Sequence, residues 1–305
     1  MKRQRSIKKC SNSTENSQVI TIRSLNKSYG DFKALQNLSL EIKEGSVFGL
    51  LGVNGAGKTT LLSILNGLID FDEGEVIVGG YDLKSQKKEV KSISSIIPQH
   101  LAFYEALSVR ENLDFFASVQ KSSKESLQKA IEINRLQELL SHKASTLSGG
   151  QKRRLNIAIG LLNDPKIIYF DEPTVGIDPR SRGEILDSIK SYRDMGITVV
   201  YTSHYMNEIE YICDEVAIID KGRLIKQERL ENLLSNKLSD SVLIESVADE
   251  KLAHLGLNLL ERNLIQTDKS RLCDVLALLE KEKIYIKQIR YGASDLEHYF
   301  LEVTE

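Results

Sequence analysis

The run Gly52-Val53-Asn54-Gly55-Ala56-Gly57-Lys58-Thr59 fits the spacing G-x-x-x-x-G-K-[ST] without a gap, and Thr60 follows it. Such a run binds phosphate. Its glycines let successive backbone N–H groups curl around an anion, and a helix starting at its end adds a positive N-terminal field. Lys58 reaches the β- and γ-phosphates of a nucleotide, and the Thr59 hydroxyl can hold Mg²⁺. A site of this kind needs an acid at the end of a neighbouring strand. Ile167-Ile168-Tyr169-Phe170-Asp171-Glu172-Pro173 supplies two. Asp171 is placed to bind Mg²⁺ through water. Glu172, one residue further, is placed to take a proton from an attacking water. On its own, Asp-Glu-Pro would only start a turn; beside a phosphate loop it gains a chemical meaning.

A third segment, Leu147-Ser148-Gly149-Gly150-Gln151, carries the spacing S-x-x-Q of a helix capping box before an apolar run. Two consecutive glycines exceed what a cap requires. They leave N–H groups bare for a second anion.

These residues need elements to position them. The apolar runs Val19–Ile22, Leu38–Ile42 and Val47–Leu51 read as strands, and Thr59–Leu68 as a helix with a broad apolar face. Residues 105–142 have helical spacing and predict a helical insertion. Gln151–Leu162 and Arg182–Met195 read as helices, with Ile167–Phe170 and Ile197–Tyr201 as continuous apolar strands between and after them. Such strands between helices predict a parallel sheet covered on both faces. After about Glu228 the composition shifts. Strands at Val242–Glu245 and Ile284–Ile289 bracket a helix at Arg271–Lys283, and a last helix starts near Ser294.

Composition narrows the function classes. The 305 residues are 41% apolar and 28% charged, which suits a globular protein of sizeable core. The longest stretch without a charged side chain is 13 residues, too short to span a bilayer. Lys2, Arg3, Arg5, Lys8 and Lys9 precede the first acid, Glu15, so residues 1–17 read as a polar, disordered tail over a net acidic body. An acidic body argues against nucleic acid as the main ligand. Cys10, Cys213 and Cys273 are too scattered for a disulfide framework or a zinc site.

With these motifs the chain resembles the ABC ATPases, the nucleotide-binding subunits of ATP-driven transporters, over about residues 18–228. The resemblance implies an α/β fold: a P-loop NTPase with a mostly parallel sheet, a helical subdomain at about 100–160, and a small C-terminal α+β domain over 229–305. It implies ATP and Mg²⁺ at Gly52, Asn54, Gly55, Ala56, Gly57, Lys58, Thr59 and Thr60. Ser148, Gly149, Gly150 and Gln151 would close over the ATP of a second subunit in a head-to-tail pair. Tyr29 resembles the aromatic that stacks on adenine. Gln99 resembles the glutamine that meets Mg²⁺ and the attacking water. Asp178 resembles the loop aspartate that joins the two sites of the pair, and His204 the switch histidine that contacts the γ-phosphate. Family members more often have Leu where Ile177 stands.

Three further segments resemble the branch that exports drugs, antibiotics, lipids or polysaccharides through a separate multi-span permease. They are Tyr29–Leu35, Thr202–Met206 and, in part, Ser294–Leu301, where His298 and Tyr299 depart from the pattern. That branch implies a homodimer at the cytoplasmic face of the membrane, with no nucleic acid partner. The competing expectation is a soluble ABC ATPase acting on ribosomes or nucleic acid. Such proteins generally carry long coiled coils, zinc sites or two cassettes, and this chain carries one cassette with none of these.

Overall fold

A computed structural model describes residues 18–235, 241–247, 252, 254–261, 263–291, 296 and 300. The expected disordered tail at 1–17 lies outside the described residues, as does most of the helix expected from Ser294.

The chain opens with the long strands β1 (Gln18–Tyr29) and β2 (Phe32–Lys43), then β3 (Val47–Leu51) and helix α1 (Lys58–Leu65). Strands β4 (Glu73–Val78) and β5 (Tyr81–Asp82), helix α2 (Lys87–Ile93) and strand β6 (Ser94–Ile97) follow. The helical insertion holds α3 (Val109–Gln120) and α4 (Lys124–Ile133), and α5 (Gly149–Leu161) leads back to the sheet. Then come β7 (Ile167–Asp171), α6 (Pro179–Asp194), β8 (Thr198–Thr202), α7 (Met206–Ile212), β9 (Glu215–Asp220), β10 (Arg223–Arg229) and α8 (Leu230–Ser235). The last part carries β11 (Ser241–Ser246), β12 (Asn258–Glu261), β13 (Leu264–Asp268), α9 (Leu272–Lys281) and β14 (Ile286–Tyr291).

The central sheet has the order β10-β9-β3-β8-β7-β6. It is parallel from β9 to β6, and β10 is an antiparallel edge. Strands β3, β7 and β8 are buried along their whole length, as continuous apolar runs require in a sheet covered on both faces. Alternate side chains divide between two cores. Phe48, Leu50, Ile167, Tyr169 and Val200 face a core shared with α1 and the antiparallel sheet β2-β1-β4-β5. Val47, Ile168, Phe170, Val199 and Tyr201 face the core built with α5, α6 and the helical insertion. That period of two lets one short strand serve two layers.

A third, antiparallel sheet, β12-β13-β11-β14, packs Val242, Ile244 and Ile265 against α9. Residues flanking it return to the main core: Leu230 on one side, Leu296 and Phe300 on the other.

Several boundaries move from their expected places for local reasons. Helix α1 ends at Leu65 rather than Leu68 because Gly67 takes a left-handed backbone, φ +66°. Helix α6 starts three residues before Arg182, since Asp178 accepts the Ser181 N–H as N-cap and Pro179 occupies the first helical position. Helix α5 starts at Gly149, two residues before Gln151, so Gly149 and Gly150 both lie inside its first turn. The strands β12 and β13 are additions to the expected C-terminal elements.

Candidate active site

The phosphate loop joins the end of β3 to the start of α1, and its shape depends on glycine at close approaches. A Cβ on Gly52 would sit 2.5 Å from the Ile219 carbonyl oxygen. At Gly57, φ is +106° and a Cβ would meet the Ala34 carbonyl oxygen at 2.6 Å. The second approach brings the β1–β2 hairpin, with Tyr29 at its tip, against the loop. Tyr29 is 51% exposed, and the Lys27 ammonium lies 5.3 Å from its ring centre. Asn54 and Gly55 are exposed at the crest of the loop, Ala56 is buried, and Thr60 is half-buried in the first turn of α1.

Lys58 is buried, and its Nζ donates to the carbonyl oxygens of Gly52 (2.7 Å) and Val53 (3.3 Å). Burial lowers its pKa from the ordinary lysine value, against the pull of the Glu172 and Asp171 carboxylates. The Thr59 hydroxyl donates to Asp171, with Oδ2 at 3.0 Å and Oδ1 at 3.3 Å. Glu172 Oε1 lies 2.6 Å from His204 Nε2 and 3.9 Å from Lys58 Nζ. Glu172 itself has φ +49°, a left-handed backbone that few non-glycine residues adopt. That turn lifts its carboxylate out of the strand direction at the carboxyl end of β7. Ligands of open α/β sheets bind at that end of the strands. Thus Lys58, Thr59, Asp171, Glu172 and His204 form one cluster, from three segments: the start of α1, the end of β7 and the loop after β8.

Ser148, Gly149, Gly150, Gln151 and Asp178 belong to a second cluster. Ser148 Oγ accepts the Gln151 N–H, and the Gln151 side chain accepts the Ser148 N–H: the capping box is complete. Gly149 and Gly150 hold the first two helical positions, whose N–H groups have no intrahelical acceptor. A Cβ on Gly149 would lie 3.7 Å from Ile177 Cδ1, and Gly150 abuts Ser181. The Ser148–Gln151 segment therefore packs on the segment that carries Asp178. The Ser181 N–H holds the Asp178 carboxyl below its ordinary pKa.

Gln99 is exposed in the loop after β6. Its backbone is held from α5: Arg153 donates to the carbonyl oxygens of Pro98 (2.8 Å) and Gln99 (2.6 Å). Burial lowers the pKa of that guanidinium.

Two residues of the site carry no sequence motif of their own. One is Arg153. The other is Thr202, whose hydroxyl accepts the Glu172 N–H (3.0 Å) and lies 3.1 Å from Asp171 Oδ1. Its signals in the sequence are its place at the head of the Thr202–Met206 segment and a hydroxyl at the carboxyl end of the strand next to β7.

Comparison with known proteins finds relatives of one family. The family model described as ABC transporter matches residues 35–175. The linearmycin resistance ATP-binding protein LnrL of Bacillus subtilis is 34% identical over 305 residues, covering 94% of this chain and 98% of that protein. The doxorubicin resistance ATP-binding protein DrrA of Mycobacterium tuberculosis is 33% identical, covering 94% of this chain and 93% of that protein. Among solved structures, cbiO1 of Clostridium perfringens, part of the ABC transporter complex cbiONQ, aligns with a TM-score of 0.66 at 29% identity. That alignment covers 73% of this chain and 92% of the other. A dimeric ATP-binding cassette in a post-hydrolysis state, bound to ADP and phosphate, aligns with a TM-score of 0.62 at 27% identity. It covers 69% of this chain and 98% of that cassette.

Proposed function

The chain belongs to the ABC transporter family as an ATP-binding, ATP-hydrolysing subunit, and on that premise we propose that it powers export of a drug-like molecule through a separate membrane permease. Relatives named for linearmycin and doxorubicin resistance, aligned over nearly their whole length, support the exporter reading. Among the described residues no helix is long and apolar enough to cross a membrane, so the pathway is assigned to a partner. We place the subunit at the cytoplasmic face of the membrane, as one half of a head-to-tail pair. Residues 18–228 form the ATPase unit and 229–305 the accessory unit, a division supported by the separate core under the third sheet.

The reaction is ATP + H₂O → ADP + phosphate. Its demands are positioning and charge neutralisation. In this reading Gly52–Thr60 hold the phosphates, Lys58 offsets their charge, and Tyr29 stacks on the base. Glu172 takes the proton of the attacking water, with His204 and Gln99 orienting the reacting groups. The observation that carries the assignment is the 2.6 Å contact of Glu172 with His204, beside buried Lys58.

The donor set also fits Mg²⁺. Thr59 and Asp171 offer two hard oxygen ligands in mutual contact, and Mg²⁺ sites typically use one or two protein ligands beside phosphate and water. Thr59 and Asp171 would hold the ion, with Gln99 reaching it from the side of β6. When bound, it supplies charge neutralisation on the phosphates.

In the second cluster, Ser148, Gly149, Gly150 and Gln151 serve the partner's nucleotide and Asp178 links the two sites. The test is co-purification of the full-length chain from detergent-solubilised membranes and from ribosomal pellets. A polytopic membrane protein bound stoichiometrically, with drug-stimulated ATP hydrolysis, is expected. Stable association with ribosomes or nucleic acid instead would replace the exporter reading.

A further inference from the structure

Glu208, on α7, is one of the few acidic side chains buried among the described residues, with 1% of its surface exposed. Its Oε2 accepts three hydroxyls: Ser203 at 2.5 Å, Tyr201 at 2.8 Å and Thr174 at 2.9 Å. They come from two stretches beside the active site: Thr174 from the loop after β7, and Tyr201 and Ser203 from the end of β8. Thr174 lies two residues after Glu172. Ser203 precedes His204, and its hydroxyl also accepts the Tyr205 N–H at 2.9 Å, so the backbone on both sides of His204 is fastened to it. Tyr201 lies on β8 and is fully buried. Burial first, and the Glu208 carboxylate second, hold its phenol well above the ordinary pKa, which keeps it a donor.

The other carboxylate oxygen faces Arg182. Glu208 Oε1 lies 3.6 Å from Arg182 Nε, and among the described residues neither atom has a hydrogen-bond partner. Arg182 stands one residue past Ser181, donates to the Ile177 carbonyl oxygen at 3.4 Å, and lies over the Tyr205 ring at 4.6 Å. It therefore touches the Asp178 segment on one side and the His204 loop on the other. A core position asks for an apolar side chain, and a buried charge is costly unless its partners are well placed. Here the partners sit on the three loops that the proposed chemistry must keep in register.

We propose that Glu208 is a positioning residue for ATP hydrolysis: it locks the His204 loop to the loop after Glu172 and, through Arg182, to the segment carrying Asp178. This rests on the site assignments made above. Glu208 acts through the placement of His204, without touching nucleotide.

The test uses the full-length chain, with each rate normalised to the fraction competent to bind ATP. The wild-type rate and its loss in Glu172→Gln test the ATPase assignments independently of Glu208. Glu208→Gln is expected to lower kcat about tenfold, with KM for ATP changed by less than about twofold. In a His204→Ala background the same substitution is expected to cost almost nothing further, because coupled residues are not additive. Arg182→Met is expected to give a smaller loss of the same kind. Losses that multiply in the double variant, or a normal kcat in Glu208→Gln, overturn the proposal. Should Glu208→Gln fail to fold, Ser203→Ala and Tyr201→Phe each remove a single donor. A fall in kcat of about threefold at unchanged KM is then expected, and an unchanged kcat in both overturns it.

Discussion

The two polar clusters of this subunit are built by opposite means. Around Lys58, Asp171 and Glu172, the groups that touch come from far apart in the chain: Thr59 and Asp171 are 112 residues apart in sequence. Lys58 and Asp171 are almost wholly buried, and the cluster exists only once the sheet has assembled. Around Ser148 and Asp178, the bonds are local. Ser148 holds Gln151 and Asp178 holds Ser181, each three residues on, and both capping residues are exposed. A site closed by tertiary contacts is organised for its own chemistry. A surface organised by its own helix caps is ready to be presented to something else. The contrast supports the reading in which the first cluster holds a nucleotide and the second covers the nucleotide of a partner.

Substitutions can break that contrast or sharpen it. The largest effect is expected for Glu172→Gln. Loss of a general base typically costs 10²- to 10⁴-fold, so turnover should fall about a thousandfold while ATP binding, followed by equilibrium titration, is retained. Normal steady-state hydrolysis would remove Glu172 from the base role. Next comes Ser148→Arg, expected to reduce hydrolysis on the order of a hundredfold while ATP affinity of the single chain stays near wild type. Mixing it with Lys58→Ala chains should restore one competent site per pair. Absence of any complementation would argue that the second cluster serves its own chain.

Thr202→Val removes the acceptor of the Glu172 N–H, so it should destabilise the first cluster by about 1–3 kcal/mol, read by thermal melting and by weaker ATP binding. Ser148→Ala removes only a local cap. It should cost about 1 kcal/mol and leave ATP binding alone, which separates local from tertiary organisation.

The smallest effect concerns pH. Asp178 has a lowered folded pKa, caused first by the Ser181 N–H. Its contribution to stability is therefore present above the ordinary carboxylate range and is lost as pH falls through the lowered value. Melting temperature in Asp178→Asn should be less sensitive to acidification over that interval. An identical acid limb in both proteins would count against the cap as the cause.

How much of this could be read in the sequence follows the same division. The phosphate loop, the Asp171–Glu172 pair and the Ser148–Gln151 box are contiguous, so their spacing was legible before any fold. The strands β3, β7 and β8 were legible because full burial on both faces makes their interiors continuous apolar runs. His204, Tyr29 and Gln99 gained a role only by resemblance, since a lone histidine, tyrosine or glutamine has no local signature. Arg153, Thr202 and Glu208 stayed hidden because their partners are brought in by the sheet. Strands β12 and β13 were missed because runs of four and five residues are too short to set a clear period of their own.

Leu230 enters the main core just before the third sheet begins, and Leu296 and Phe300 enter it after that sheet ends. The accessory unit is thus slung between two moorings on the same hull. Both moorings are apolar contacts, so the third sheet is tied to the main core on each of its flanks. Trimming the chain near residue 228 would unplug three apolar sockets as well as remove an appendage.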